Sequence, residues 1–272
     1  MTHSQVHLNH VIIHVDEPTR SAIAQSAFLK NAFAAFEAST IAIEDGGGWS
    51  GLYIDGEQTY IEIFGPSQSA VAGAAAGICL GVDHAGGLEK ACAILSQSGR
   101  VYSPDLVRRQ LDGQEIPWFR YVDLIDSGVS FTSSIMEYDQ DFLWRSRPGL
   151  NPGPDGISRK QYNAARFRPE RYLKNISAVT LALAPADFAL FGSQLAALGY
   201  AETSTGETRT FCGQEVTFHL LQSTASLKGV VALRLNLLKK KEGETIYRFG
   251  SGSVLQFDTE LGATWRFGPA SE

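Results

Sequence analysis

The stretch Gln58–Pro66 reads QTYIEIFGP and has the alternation of a β-strand, yet it carries a carboxylate at its centre. A period of two residues places the two isoleucines on one face and Tyr60, Glu62 and Phe64 on the other. Burying an unpaired charge costs several kcal/mol. Glu62 therefore lies exposed on a half-solvated strand, or its face of the sheet supplies a hydrogen-bond partner or a positive group.

Composition restricts the class of protein. The 272 residues are 44% hydrophobic and 19% charged, with a net charge of -6, as in soluble chains of one or two domains. The acidic balance argues against a nucleic-acid surface, and no apolar run reaches the roughly 18 residues of a membrane helix. Without a secretory signal at the start, Cys79, Cys92 and Cys212 indicate reduced thiols and a cytoplasmic protein.

The order β-α-β-β-β occurs twice in the first half. LNHVIIHV at 8–15 predicts a first strand with His10 and His14 on the same face, followed by a helix at 21–36. The predicted strands that complete this unit lie near 39–44, 50–54 and 59–64. The second copy has a strand at 77–83, a helix at 86–98 and strands near 102–109, 118–124 and 131–138. Aligned by length, Glu137 falls where Glu62 falls.

The remaining sequence predicts a connection and a second half. Residues 145–170 are rich in Pro, Gly, Arg and Lys and are typical of an inter-domain linker, whose aromatic residues allow it to pack on the surface. A third unit starts with a strand at 175–183, and His219 aligns with Glu62, but Ala178 stands at the His10 position. A fourth, degraded unit has strands and no evident helix. We predict an α+β protein with halves at 1–144 and 171–272.

Four such units, with a histidine on a first strand and glutamates on fourth strands, resemble the vicinal oxygen chelate superfamily. This superfamily includes glyoxalase I, extradiol dioxygenases and bleomycin-binding proteins. The NHV opening, the YIEIFGP strand and the YRFG and SVLQFD segments are similar to a glyoxalase-like branch of it. The resemblance covers almost the whole chain. It implies βαβββ modules paired into curved mixed sheets, with the helices outside, in two tandem halves.

The resemblance also implies a metal site. Its ligands come from first and fourth strands, which here gives His10, Glu62 and Glu137. The second unit departs from the pattern, because Gly77 or Ile78 stands where its first-strand ligand is expected. Three ligands suffice for a divalent Mn, Fe, Ni, Zn or Mg with open positions. A cup without metal is equally tenable.

The remaining candidate residues concern the substrate and the proton. Aromatic residues on third and fourth strands are expected to wall the cup, and Arg120 to pair with a carboxylate or phosphate. These aromatic residues are Trp49, Tyr53, Tyr60 and Trp118. Glu137 or His14 is the candidate for moving a proton, and a core or rim histidine is the alternative for His14.

Two functions follow from this arrangement. The first is a metal-dependent isomerase, lyase or dioxygenase that chelates vicinal oxygens of a small organic substrate. The second is a protein that binds or sequesters a small molecule in the same cup. Either has a small-molecule partner and neither a nucleic acid nor a membrane; a homodimer is left open. If the first two units pair, we expect donor atoms of His10, Glu62 and Glu137 within roughly 5 Å of one point.

Overall fold

The computed structural model of the chain describes residues 5–42, 48–66, 75–125, 130–146 and 155–268, and these form two eight-stranded sheets. The first half contains β1 (Val6–His14), α1 (Glu17–Gln25), β2 (Ala35–Ala42), β3 (Gly48–Asp55), β4 (Tyr60–Phe64), β5 (Ala76–Val82), α2 (Gly87–Leu95), β6 (Asp105–Leu111), β7 (Gln114–Asp123) and β8 (Phe131–Tyr138). Two short helices follow, α3 (Gln140–Ser146) and α4 (Arg159–Asn163). The second half contains β9 (Leu173–Leu183), α5 (Pro185–Ala197), β10 (Ala201–Thr205), β11 (Thr208–Cys212), β12 (Thr217–Gln222), β13 (Gly229–Leu237), β14 (Ile246–Phe249), β15 (Ser253–Phe257) and β16 (Gly262–Phe267).

Both sheets have the same arrangement of strands. The orders are β2-β3-β4-β1-β5-β8-β7-β6 and β10-β11-β12-β9-β13-β16-β15-β14. In the first three units the first strand lies parallel to the fourth, and each sheet is joined by an antiparallel pair of first strands. In the fourth unit β13 and β16 are antiparallel, because no crossover helix separates β13 from β14. The predicted α+β fold of paired modules in two tandem halves is confirmed.

The first helix differs from its prediction. It begins at Glu17 instead of position 21, because the Asp16 side chain accepts a hydrogen bond from the Thr19 amide at 2.8 Å and Pro18 suits the first turn. It ends at Gln25, and a single π-helical segment, Leu29–Phe33, leads into β2. Caps and a local change of helix type therefore divide the helix that periodicity predicts as continuous.

The two halves share one hydrophobic core. It is formed by the helix-covered faces of both sheets, which turn toward each other. Phe131 of the first sheet meets Phe191 of α5 with ring centroids 5.1 Å apart, and Phe33 meets Trp265 at 6.0 Å. The opposite face of the first sheet, called the cup below, holds a separate cluster of buried aromatic and aliphatic side chains. The candidate site therefore lies away from the contact between the halves.

The helix α3 and the described part of the predicted linker cover the cup. Residues 147–154 lie outside the described residues, but α3 and α4 bury Phe142, Leu143 and Tyr162 against the first sheet. A capping box of Ser158 and Gln161 begins α4. The segment therefore packs on the protein through Tyr162, as expected, and this residue is only 5% exposed. A segment whose composition is typical of a linker supplies part of the site instead.

One arginine of α4 anchors this cover to both halves. Arg159 is 1% exposed, and its guanidinium donates to Asp83 of the first half and to Glu215 of the second, each at 2.8 Å. It also donates to the carbonyl of Leu8 at 2.7 Å. A buried guanidinium with three partners is well satisfied, and it holds α4 in place over the cup.

Candidate functional site

The cup encloses a cavity of about 290 Å³. Aromatic side chains form much of its wall: Tyr53, Tyr60, Trp118, Phe142 and Tyr162. Its charged lining residues are Glu37, Glu62, Arg109 and Arg166. A concave, largely aromatic cavity with a few converging charged groups is the usual form of a small-molecule site.

His10 and Glu62 meet inside the cup. β1 and β4 run parallel with His10 opposite Tyr60 and Ile12 opposite Glu62, so the predicted shared face of the histidine and the carboxylate is confirmed. His10 stacks on Tyr60 at 4.5 Å, and its Nδ1 lies 3.0 Å from Asn9 Oδ1. Its Nε2 lies 3.9 Å from Glu62 Oε1, too far for a direct hydrogen bond.

Burial favours the uncharged form of both His10 and Glu62. Glu62 is 7% exposed, and loss of water raises the pKa of its carboxyl to about 8, although the Arg166 guanidinium opposes the rise. Burial, with a smaller contribution from Arg166, lowers the pKa of His10 to about 3. At neutral pH the cup therefore holds an uncharged acid beside an uncharged imidazole, so the strand carries its buried carboxyl in protonated form.

Arg166 is a site residue that sequence reasoning missed. Its guanidinium lies 5.1 Å from the ring centroid of Tyr162 and 5.9 Å from that of Tyr60, and its Nε is 3.5 Å from Asp55 Oδ1. Residues 145–170 were predicted to be a linker, so no part of them was assigned to the cup. The signal available was the spacing of Tyr162 and Arg166, four residues apart and therefore neighbours on a helical turn.

Glu137 lies on the opposite face of the sheet from His10 and Glu62. The prediction that it binds a metal and carries a proton beside them is therefore wrong. Its carboxylate accepts hydrogen bonds from the backbone amides of Gly86 at 3.2 Å and Leu88 at 2.9 Å, at the start of α2. Its neighbours Met136 and Tyr138 are the residues of β8 that face the cup. The alignment was wrong by one residue, and in a strand one residue exchanges the two faces.

Arg120 and His14 also lie elsewhere. Arg120 forms an ion pair with Glu89 of α2 on the helix-covered face, because β7 is irregular at Trp118 and its alternation changes there. Arg109 stands in the cup instead, 5.0 Å from the Trp118 ring centroid. His14 lines a different cavity beside α1, so its predicted role in moving a proton at Glu62 is not supported.

The four predicted aromatic residues do lie in the cup or at its wall. Tyr53, Tyr60 and Trp118 line the cavity, and Trp49 donates to the Tyr53 hydroxyl at 2.7 Å. Trp118 donates to the hydroxyl of Tyr162 at 3.1 Å. Their contact with a substrate remains a prediction, while their position is as expected from strand alternation.

The residues of the cup do not fit a resident divalent metal. Across the described ranges, no three His, Cys, Asp or Glu side chains converge as a metal site would require. The residue of β5 opposite His10 is Cys79, whereas Ile78 points into the shared core. Arg166 places a positive charge beside the His10 and Glu62 pair, and this charge opposes the binding of a further cation there.

The second sheet contains the residue that was predicted to correspond to Glu62, but it has no histidine at the position that corresponds to His10. His219 of β12 has the same register as Glu62, and Ala178 stands at the position of His10. The Nδ1 of His219 lies 3.1 Å from Thr210 Oγ1, on a half-exposed face. The expectation that one imidazole there makes no site agrees with this geometry.

Several solved structures of other proteins are similar in fold to this chain. A hypothetical protein from Staphylococcus aureus is 11% identical with a TM-score of 0.52, over 89% of this chain and 94% of that chain. A variant of homoprotocatechuate 2,3-dioxygenase from B. fuscum is 10% identical at a TM-score of 0.45, over 99% and 74%. A Mn(II)-bound glyoxalase from Novosphingobium aromaticivorans is 10% identical at 0.44, over 97% and 81%. Identities this low show a shared fold alone, and the tandem halves of paired modules agree with the fold that the sequence resemblance implied.

The family itself follows from a sequence model that matches residues 8–267. The chain belongs to the family described as "Family of unknown function (DUF5829)". No curated protein sequence matches it. Within the described residues, no helix combines the length and the apolar character that crossing a membrane requires.

Proposed function

We propose that the cup binds a small organic molecule with a flat apolar body and an anionic group, without a resident divalent metal. The observation that carries the proposal is the position of Arg166. Where members of the superfamily are expected to hold a metal cation, this chain places a guanidinium of its own beside His10 and Glu62. A fixed cation there favours a ligand that brings the negative charge.

The other lining residues suit the same ligand. The rings of Tyr60, Trp118 and Tyr162 offer apolar faces on which a flat body can stack. Arg109 and Arg166 are the two arginines that line the cavity, and a guanidinium pairs well with a carboxylate or phosphate. The protonated Glu62 can donate a hydrogen bond to a further oxygen of the ligand.

A metal-dependent enzyme is the second candidate. It is favoured by His10 and Glu62, whose Nε2 and Oε1 atoms lie 3.9 Å apart on the two strands that supply ligands in the superfamily. This candidate requires that a metal bind with His10 and Glu62 as its two protein ligands, next to the guanidinium of Arg166. The two candidates therefore differ in metal content and in the effect of removing the arginines.

Calorimetric titration with benzoate and with its neutral analogue benzamide tests the first candidate. We expect Arg109→Gln to weaken benzoate binding about tenfold, as the loss of a charged hydrogen bond does, and to leave benzamide unchanged. Arg108→Gln, on the neighbouring position of β6, is the matched control. Equal affinity of benzoate for the wild type and Arg109→Gln would contradict the proposal.

Elemental analysis of protein purified without chelator separates the two candidates. The binding proposal expects far less than one divalent metal per chain, with no change in Glu62→Gln. About one Mn or Fe per chain that is lost in Glu62→Gln would overturn it in favour of the enzyme.

A further inference from the structure

A second cavity, also of about 290 Å³, lies between the two halves and away from the cup. The first half contributes His14 at the end of β1 and Thr19 in the first turn of α1. The second half contributes Lys228, Gly252 and Phe267. Cavities where two halves of a chain meet are frequent ligand sites.

Among the described residues, two that line this cavity carry a buried polar atom without a hydrogen-bond partner. Thr19 is 1% exposed, and its Oγ1 is buried without a hydrogen bond. The Nε2 of His14 is likewise buried and unpaired, while its ring packs 5.7 Å from that of Phe64. Each unsatisfied buried polar group costs roughly 1–3 kcal/mol, so two in one cavity indicate that a polar molecule completes them.

The second half approaches Thr19 through glycines. A Cβ built on Gly252 would stand 3.0 Å from Thr19 Oγ1, and one on Gly250, whose φ is +61°, would stand 2.9 Å from the same oxygen. Glycines at these two positions therefore allow the second half to approach Thr19 closely. Any larger side chain at Gly252 would crowd the space next to Thr19.

The charges at the mouth limit what the cavity can accept. Lys228 is exposed there and supplies a cation, whereas Asp16 is exposed nearby and its Oδ1 is occupied by the Thr19 amide. Among the groups that can bind a ligand here are the Lys228 ammonium, the Thr19 hydroxyl and an imidazole nitrogen of His14 that can carry a proton. All three donate to an oxyanion, while the Asp16 carboxylate disfavours a doubly charged one.

We propose that this cavity is a second ligand site, which binds a small organic monocarboxylate through His14, Thr19 and Lys228. The site is distinct from the cup in position and in residues. Because it is built from both halves, its occupation stabilises their contact, and the ligand enters past Lys228 and Asp16.

Nuclear magnetic resonance of the His14 imidazole in the full chain tests this inference, with glycolate as the probe. We expect a saturable shift of the His14 signal, no comparable shift with the neutral glycolamide, and weaker binding of inorganic phosphate. Thr19→Val and Lys228→Gln should each weaken glycolate binding about fivefold or more, and Gly252→Ala should abolish it. Thr203→Val, an exposed threonine on β10, is the matched control and should change nothing.

The same experiment can overturn the proposal. It fails if glycolate causes no saturable His14 shift at up to about 50 mM, well above a millimolar dissociation constant, which would mean that water alone fills the cavity. It also fails if Gly252→Ala or Lys228→Gln leaves the shift unchanged. Lys228 is exposed, so its variant retains the fold even where Gly252→Ala does not. Arg109→Gln in the cup should not alter the response, which separates this site from the proposed function.

Discussion

The first and second sheets share a strand order, but the faces that they turn away from the common core have different surroundings. In the first sheet α3 and α4 cover that face, and Tyr138 stacks on Tyr162 with centroids 3.7 Å apart. In the second sheet the corresponding face carries His219 and Arg234, which remain partly or largely exposed. A covering segment, and not the strand topology, thus converts an open surface into a partly enclosed cavity.

The comparison also shows what burial does to ordinary side chains. Glu62 and His219 occupy corresponding positions in the two sheets, as the pairing of β4 with β1 and of β12 with β9 indicates. Beneath the cover, burial raises the pKa of Glu62 to about 8. The covering segment also brings the positive charge of Arg166 close to Glu62. The environment, more than the residue type, makes one position a candidate site and the other a surface.

The largest effect is expected from the residue that anchors the cover. Arg159→Met should lower the free energy of unfolding by about 3 kcal/mol, since it leaves Asp83 and Glu215 without their buried partner. Arg234→Met, which breaks the exposed pair with Asp258 on the second sheet, should cost less than about 1 kcal/mol. Urea denaturation measures both, and equal losses would remove the distinction between the faces.

The next effect depends on pH. The folded-state pKa of Glu62 is raised from 4.5 to about 8, so the folded chain keeps a proton that the unfolded chain releases, and stability falls as pH rises from 4.5 to 8. Glu62→Gln cannot ionise, so it should match the wild type near pH 4 and exceed it by about 2 kcal/mol at pH 6. Denaturation across this range is the measurement, and a difference independent of pH would contradict the buried neutral acid.

A smaller effect tests the corrected position of Glu137. Glu137→Ala removes the carboxylate that accepts from Gly86 and Leu88, so it should cost about 1 kcal/mol of stability, as lost helix caps do. It should leave benzoate affinity in the cup unchanged, because its side chain lies on the other face of the sheet. Loss of benzoate binding with unchanged stability would restore Glu137 to the site.

The smallest effect is expected on the open face of the second sheet. His219→Ala loses one contact with Thr210 on a half-exposed surface, so its stability should stay within about 0.5 kcal/mol of the wild type. His10→Ala is the contrasting variant in the cup and should cost more, since it removes a buried ring stacked on Tyr60. Comparable losses from the two would show that the faces are energetically alike.

The sequence by itself determined the fold and one part of the site. Alternation of period two, together with the strand arrangement that the resemblance implied, placed His10 and Glu62 on one face, and the repeated order of elements predicted two similar halves with a fourth unit that has no helix. The register that puts His219 at the Glu62 position was likewise readable. These features depend on local periodicity, and local periodicity is written directly in the chain.

Tertiary structure alone decided the rest. Glu137 faces α2 because the true pairing of β7 and β8 differs by one residue from an alignment made by length, and one residue reverses a strand. Arg166 lines the same cavity as Glu62 because the chain after α4 lies over the cup, and Arg159 of α4 binds partners distant in sequence. Contacts of this kind leave no periodic signal in the residues that make them, so only the folded chain brings an acid, an imidazole and a guanidinium together.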